Sequence, residues 1–278
     1  MKRILTVQDV SCVGKCSLTV ALPIISAMGI EAAILPTATL STHTAFSGFT
    51  FRDLTEDIAP ICRHWKKQGI DFDGLYTGYL GSPEQIALVL DIFKQFGRDK
   101  LKFVDPAMGD NGKLYAGFDE AFALEMAKLC AVADVIVPNL TEACFMLGEP
   151  YVAQGYSEQY IRSMLKKLCA LGCRHAVITG VELTPGKLGC YGYDSKTDTY
   201  FFDYNEKLPQ SFHGTGDIFA SVCFSCLTNG HSLKRACSVA ADFVCDSIVA
   251  TTSDENPIWY GVHFEKVLSS GKYLPSKI

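Results

Sequence analysis

Gly214-Thr215-Gly216-Asp217 runs straight into the apolar stretch Ile218-Phe219-Ala220-Ser221-Val222, a glycine-flexible turn whose last member is a carboxylate at a helix start. The pattern suits phosphoryl transfer. Glycines let backbone N–H groups converge on an anion, the first helical turn adds unpaired donors and a positive dipole end, and Asp217 is placed to take a proton from an attacking hydroxyl. Taken alone, the stretch reads equally well as an ordinary helix cap, since Asp is a favoured cap and Gly a common turn residue.

The 278 residues suffice for one large α/β domain or two small ones, and 48% hydrophobic with 20% charged residues is a globular composition. A net charge of −5 without any local Lys/Arg cluster argues against nucleic acid as a partner. Met1-Lys2-Arg3 passes directly into Ile4-Leu5-Thr6-Val7, too short for a signal peptide, and no later stretch has the apolar length of a membrane span. A cytoplasmic protein with no membrane partner is expected. The twelve cysteines fall largely in apolar contexts such as Cys130, Cys144, Cys237 and Cys245, which predicts buried thiols. Cys223 and Cys226 have metal or redox spacing but no second pair, so core packing is expected there too.

Short β-rich runs alternate with longer helical patterns, the signature of βα units and a mainly parallel sheet. Strands are expected over 3–8, 32–37, 74–77, 101–104, 135–137 and 176–179. Helices are expected over 16–28, 54–68, 83–95, 120–130, 158–171, 215–229 and 233–250, with a hairpin over 189–203 turning at Asp194-Ser195. No linker or repeat interrupts them, so one domain over 1–278 is the expectation. Ligands of open α/β sheets bind at the carboxyl ends of strands. Those ends turn polar or glycine-rich each time: Asp9, Ser41-Thr42-His43-Thr44, Thr77-Gly78-Tyr79, Asp105, Asn139 and Thr179-Gly180. A P-loop is excluded, because Gly14-Lys15-Cys16-Ser17 has Asp9 where the first glycine belongs and no Ser/Thr directly after the lysine. No GxGxxG dinucleotide fingerprint follows a strand either.

Taken together, these segments resemble the ribokinase-like small-molecule kinases, and within them the pyridoxal/pyridoxamine kinases. The resemblance rests on Ile4-Leu5-Thr6-Val7-Gln8, Leu40-Ser41-Thr42-His43-Thr44, Leu75-Tyr76-Thr77-Gly78-Tyr79, the run from Val104-Asp105-Pro106 to Leu114-Tyr115, Pro138-Asn139-Leu140-Thr141-Glu142-Ala143 and Phe212-His213-Gly214-Thr215-Gly216-Asp217. It implies a single-domain three-layer αβα sandwich with a mainly parallel central sheet. It also implies ATP-dependent phosphorylation of the 5′-hydroxymethyl group of pyridoxal, pyridoxamine or pyridoxine. Asp217 is then the base and Gly214, Thr215 and Gly216 the anion hole. Asp9, Val13, His43, Thr44 and Tyr79 would surround the substrate ring. Asp105, Asp110, Tyr115, Asn139, Thr179, Lys187 and Gly189 would flank the nucleotide, with 109–115 as a loop over its phosphates. Asp105 and Glu142 are the implied Mg²⁺ ligands, directly or through water, with a monovalent cation such as K⁺ as a further candidate and a homodimer as the assembly.

For several of these residues an ordinary structural role competes. Glu142 also reads as a first-turn acid, His43 as a backbone-satisfied loop histidine, Lys187 as a solvated hairpin charge and Asp9 as a helix cap or partner of Lys15. Asp9 stands where relatives commonly carry Ser, and the loop Val10-Ser11-Cys12-Val13-Gly14 is shorter than usual, which leaves the substrate open. Two alternatives stand beside the vitamin B6 kinase: a hydroxymethylpyrimidine kinase, and a non-catalytic B6-binding sensor.

Overall fold

The computed structural model describes residues 1–278, which fall into two compact units: 1–81 with 208–278, and 82–207. The first unit begins with β1 (Arg3–Val13), α1 (Leu18–Ala27), β2 (Glu31–Thr42), β3 (Phe51–Asp53), α2 (Thr55–Lys67) and β4 (Gly74–Thr77). The second contains α3 (Pro83–Phe96), β5 (Leu101–Val104), β6 (Gly109–Asp110), β7 (Lys113–Leu114), α4 (Glu120–Ala131), β8 (Val135–Ile136), α5 (Leu140–Leu147), α6 (Glu158–Ala170), β9 (His175–Thr184), β10 (Lys187–Asp194) and β11 (Thr199–Glu206). The chain then returns to the first unit as α7 (Thr215–Thr228), α8 (Leu233–Thr252) and α9 (Phe264–Ser269).

In the first unit β1 pairs in parallel with both β2 and β4, and β3 lies antiparallel on the outer side of β2. Ile4, Leu5 and Val7 are fully buried, as expected of a parallel strand covered on both faces. The β1–β2 register shifts between Gln8 and Val10, so the irregularity falls at Asp9. Such bulges re-aim side chains beside functional sites. Helix α7 packs against α1 and α8, and its residues Ile218 to Cys226 are all buried, including Cys223 and Cys226.

In the second unit β5, β8 and β9 are parallel, and β9–β10–β11 continue as an antiparallel meander. The hairpin expected around Asp194-Ser195 is there, pairing Asp194 with Thr199. None of the twelve cysteines is in a disulfide; Cys130, Cys144 and Cys237 are buried, whereas Cys245 is only half-buried, short of the burial its sequence context suggested. No helix is long and apolar enough to cross a membrane.

The structure departs from the sequence expectation at several elements: β3, α5 and α9 are not part of that expectation, and β2 and β9 run on to Thr42 and Thr184, so Ser41-Thr42 and Thr179-Gly180 lie inside strands and not after them. Residues 109–115, expected as a plain loop, carry the short antiparallel pair β6–β7. Its cause is local: Asn111 and Gly112 both take left-handed φ values, 51° and 76°, as an Asn-Gly hairpin turn requires. The strand expected to end at Gln8 continues to Val13, which places Asp9 and Ser11 inside β1 as buried polar residues rather than beyond it.

Candidate active site

Gly214 is the N-cap of helix α7; its φ of 79° is left-handed, and it has no side chain to cap the helix. A Cβ on Gly214 would stand 2.0 Å from the Lys15 carbonyl oxygen, so the turn at 14–17 and the turn at 214 are packed backbone to backbone. Thr215 closes the turn by donating its hydroxyl to the Phe212 carbonyl at 3.1 Å. The amides of Thr215 and Gly216 at the start of the helix have no partner one turn back, which leaves their donors and the dipole for an anion.

Asp217 lies in that first turn. Although it keeps some exposed surface, crowding by surrounding protein pushes its carboxyl up to about 7, and the nearby Asp9 charge pushes the same way; the Ser17 amide and its own amide pull back. A carboxyl raised toward neutrality holds a proton more readily than an ordinary aspartate, which suits a general base. Asp9 is 3% exposed, and its Oδ2 accepts from the Ser11 hydroxyl at 2.9 Å. Burial raises the Asp9 carboxyl, while the hydroxyls of Ser17 and Ser11 lower it. Lys15 does not pair with Asp9: its Nζ is held by Glu265 at 2.5 Å. The lysine alternative for Asp9 is therefore removed, and since Asp9 is a mid-strand residue the helix-cap alternative goes with it.

Tyr79 follows β4 and is half-buried; burial first, and Asp9 second, push its phenol up to about 12. His43 is buried, and both ring nitrogens are taken by backbone: Nε2 lies 3.0 Å from the Tyr260 carbonyl and Nδ1 accepts from the Ala45 amide at 3.1 Å. That defines the Nε2–H tautomer and leaves the ring face, not a nitrogen, for a ligand. Thr44 is exposed in the loop beyond. Val13, half exposed, lines a cavity of about 200 Å³ with Gly14, Lys15 and Tyr260. The first unit thus brings Asp9, Tyr79, His43 and Asp217 within electrostatic reach of one another through Asp9.

Three residues of this cluster carried no signal of their own in the sequence. Ser11, Cys16 and Ser17 lie beside the two carboxylates, and burial, then Asp217, then Asp9 raise the Cys16 thiol far above its usual range. Cys16 is therefore a neutral wall and no nucleophile.

The second unit assembles the other expected residues around Glu142. Asn139 caps α5 and forms a capping box with Glu142, accepting from the Glu142 amide at 3.0 Å while the Asn139 amide donates to Glu142 Oε2 at 2.8 Å. Glu142 Oε1 accepts from the Met108 amide at 3.2 Å, and Asn139 Nδ2 donates to the Gly109 carbonyl at 2.8 Å. The first-turn role weighed for Glu142 is thus present, joined to a contact with the 108–109 backbone. Burial pushes the Glu142 carboxyl up to about 8, with Asp110 adding to it. Asp110 is exposed and caps its own turn through the Asn111 amide at 2.8 Å. Asp105 is buried at the end of β5, and Thr179 bridges to Asn139. Tyr115 is 43% exposed after β7. Lys187 pairs with Glu206 across the β10–β11 hairpin, and Gly189 sits where a Cβ would strike the Asp203 carbonyl.

No group of three or more His, Cys, Asp or Glu side chains is arranged to chelate a metal. The donor set fits a water-mediated Mg²⁺ nonetheless: Glu142 is a buried carboxylate held by two backbone amides and raised by a neighbouring acid, so a nearby divalent cation would favour its ionised form.

Mainly parallel β-strands with a Gly-Thr-Gly-Asp turn opening a buried helix define a protein of the ribokinase-like class. The chain belongs to the phosphomethylpyrimidine kinase family, whose profile matches residues 25–257. Its backbone is similar to that of a candidate phosphomethylpyrimidine kinase from Bacteroides thetaiotaomicron crystallised with pyridoxal, at 42% identity and a TM-score of 0.92, covering 97% of this chain and 95% of that one. Pyridoxal kinase from Lactobacillus plantarum is 31% identical with a TM-score of 0.89, covering 98% of this chain and 97% of that one. Among curated proteins, Sus scrofa pyridoxal kinase is 26% identical over 76% of this chain and 70% of its own length. Against a fission-yeast relative, also 26% identical, the match spans 69% of this chain and only 58% of the relative.

Proposed function

We propose that this protein is an ATP-dependent kinase that phosphorylates the 5′-hydroxymethyl group of pyridoxal, pyridoxamine or pyridoxine. One observation carries it: a carboxylate, Asp217, stands in the first turn of a helix whose N-cap is the left-handed Gly214, beside the first-turn amides. The relatives with pyridoxal in their names or crystals support the substrate class.

In this reading the substrate hydroxyl gives its proton to Asp217 as its oxygen bonds the terminal phosphorus of ATP. The bond from that phosphorus to the bridging oxygen breaks, and ADP leaves with the electron pair. Amides of Gly214, Thr215 and Gly216 stabilise charge on the transferred group, which is where positioned donors contribute most in a loose transfer. Asp105 and Glu142 would hold Mg²⁺ through water; the ion, when bound, neutralises phosphate charge. Asp105, Asp110, Tyr115, Asn139, Thr179, Lys187 and Gly189 are the proposed nucleotide side. The reading extends to the whole of 1–278 as one working domain, to a cytoplasmic homodimer and to a monovalent cation such as K⁺. It is tested by ATP consumption across pyridoxal, pyridoxamine, pyridoxine and hydroxymethylpyrimidine. The family profile favours keeping the pyrimidine as the second reading. Ligand binding without turnover would leave a sensor.

Two residues give sharper tests. A buried carboxylate facing a substrate ring pairs naturally with a protonated pyridine nitrogen, so Asp9→Asn is expected to raise KM for B6 substrates about tenfold with a smaller effect on kcat. The raised folded-state value of Asp9 means its stabilising protonated form is lost as pH rises, so the variant's Tm at pH 8 should equal or exceed the parent's. A lowered Tm with KM unchanged would remove Asp9 from the pocket. Glu142→Gln should raise the Mg²⁺ concentration needed for half-maximal rate severalfold, because one charge beside the ion is gone. An unchanged magnesium titration would confine Glu142 to its capping box.

A further inference from the structure

Five aromatic rings from three separate stretches of the first unit meet around His43 and Phe46, and His43 feels the Asp9 charge. His43 lies 5.0 Å from Phe46 and 5.1 Å from His213, and Trp259 stands edge-on to it at 6.2 Å. Phe46 is packed between Trp259 at 4.4 Å and Tyr260 at 5.6 Å. The carbonyl that accepts from His43 Nε2 belongs to Tyr260, so the segment between α8 and α9 holds this histidine by a hydrogen bond and by ring contact together. His213 directly precedes the Gly214 turn, and His43 directly precedes Thr44. Trp259 nevertheless remains 58% exposed, so part of the indole packs on Phe46 while the rest is open to a ligand.

We propose that Trp259 is a positioning residue for a flat, hydroxymethyl-bearing heteroaromatic substrate. Its indole clamps Phe46 and, through Phe46 and the Tyr260 carbonyl, fixes the 43–46 loop against which the ring is presented. The inference rests on the substrate pocket proposed above, and it adds to that pocket a segment over 200 residues away in sequence.

The indole serves as its own reporter, since the only other tryptophan, Trp65, packs on Phe72 in a different part of the unit. In a Trp65→Phe background, titration with pyridoxine without nucleotide should change Trp259 emission saturably. Trp259→Ala should raise KM for pyridoxine about tenfold while kcat stays within about threefold and KM for ATP is unchanged, and Trp259→Phe should restore most of the loss. A Trp259→Ala enzyme with a lower Tm and an unchanged pyridoxine KM would overturn the inference and leave the kinase reading standing. Saturable quenching in a protein that never turns over ATP would do the reverse.

Discussion

Asp217→Asn is expected to lower kcat by roughly two to four orders of magnitude while substrate KM changes little, because the carboxylate acts when the hydroxyl gives up its proton and not before. The parent enzyme should show kcat rising with pH through about 7, the value to which crowding and Asp9 push this carboxyl. The stability consequence runs opposite to the activity. A carboxyl whose folded-state value lies above its unfolded value contributes stability that is complete below about 4 and lost as pH rises through about 7. Asparagine has no charge to confine, so the variant should melt above the parent at pH 8 and level with it near pH 4. Stabilisation together with loss of turnover separates a base from a structural residue. A variant with near-parental kcat would take Asp217 out of the base role and weaken the kinase reading with it.

What the sequence made legible followed the range of the forces involved. The strand at Gly74–Thr77 is buried throughout and that at Leu101–Val104 ends on the buried pair Phe103-Val104; turn residues close both, and their limits stand as expected. Beyond Gln8 the chain turns to Asp9 and Ser11, which read as a loop; burial and the Ser11–Asp9 hydrogen bond let them stay in β1. Helix α5 has eight residues, too few for a period to emerge, although Asn139 and Glu142 carry its capping-box spacing. The Gly214–Asp217 turn was visible because its chemistry is written in four adjacent residues. Its fit against Lys15, and the reach of Trp259 and Tyr260 to His43, span about 200 residues and leave no local trace. Asp9 was legible as a departure, but its influence on Asp217 needed the fold.

Gly214→Ala and Gly216→Ala, two residues apart, should fail in different ways. At Gly214 the backbone is left-handed, which costs an alanine about 1 kcal/mol or more, and the new methyl would stand 2.0 Å from the Lys15 carbonyl oxygen, where no side chain can swing away. Relief requires moving the 14–17 turn, whose Ser17 faces both carboxylates. With overpacking of this kind adding roughly 1–3 kcal/mol, Gly214→Ala should lose about 3 kcal/mol, on the order of 10 °C in Tm, along with most of its turnover. At Gly216 a Cβ meets nothing within 4 Å, and the residue lies in the helix without a positive φ. Its Tm should therefore stay level or rise slightly, since alanine is the better helix former. If the transferred phosphoryl group approaches the Gly216 amide, that methyl occupies its path, and kcat should fall at least about tenfold in a fully folded protein. Melting curves and initial rates on both variants decide the matter. Full turnover in Gly216→Ala would show that the anion does not bind at the α7 amides.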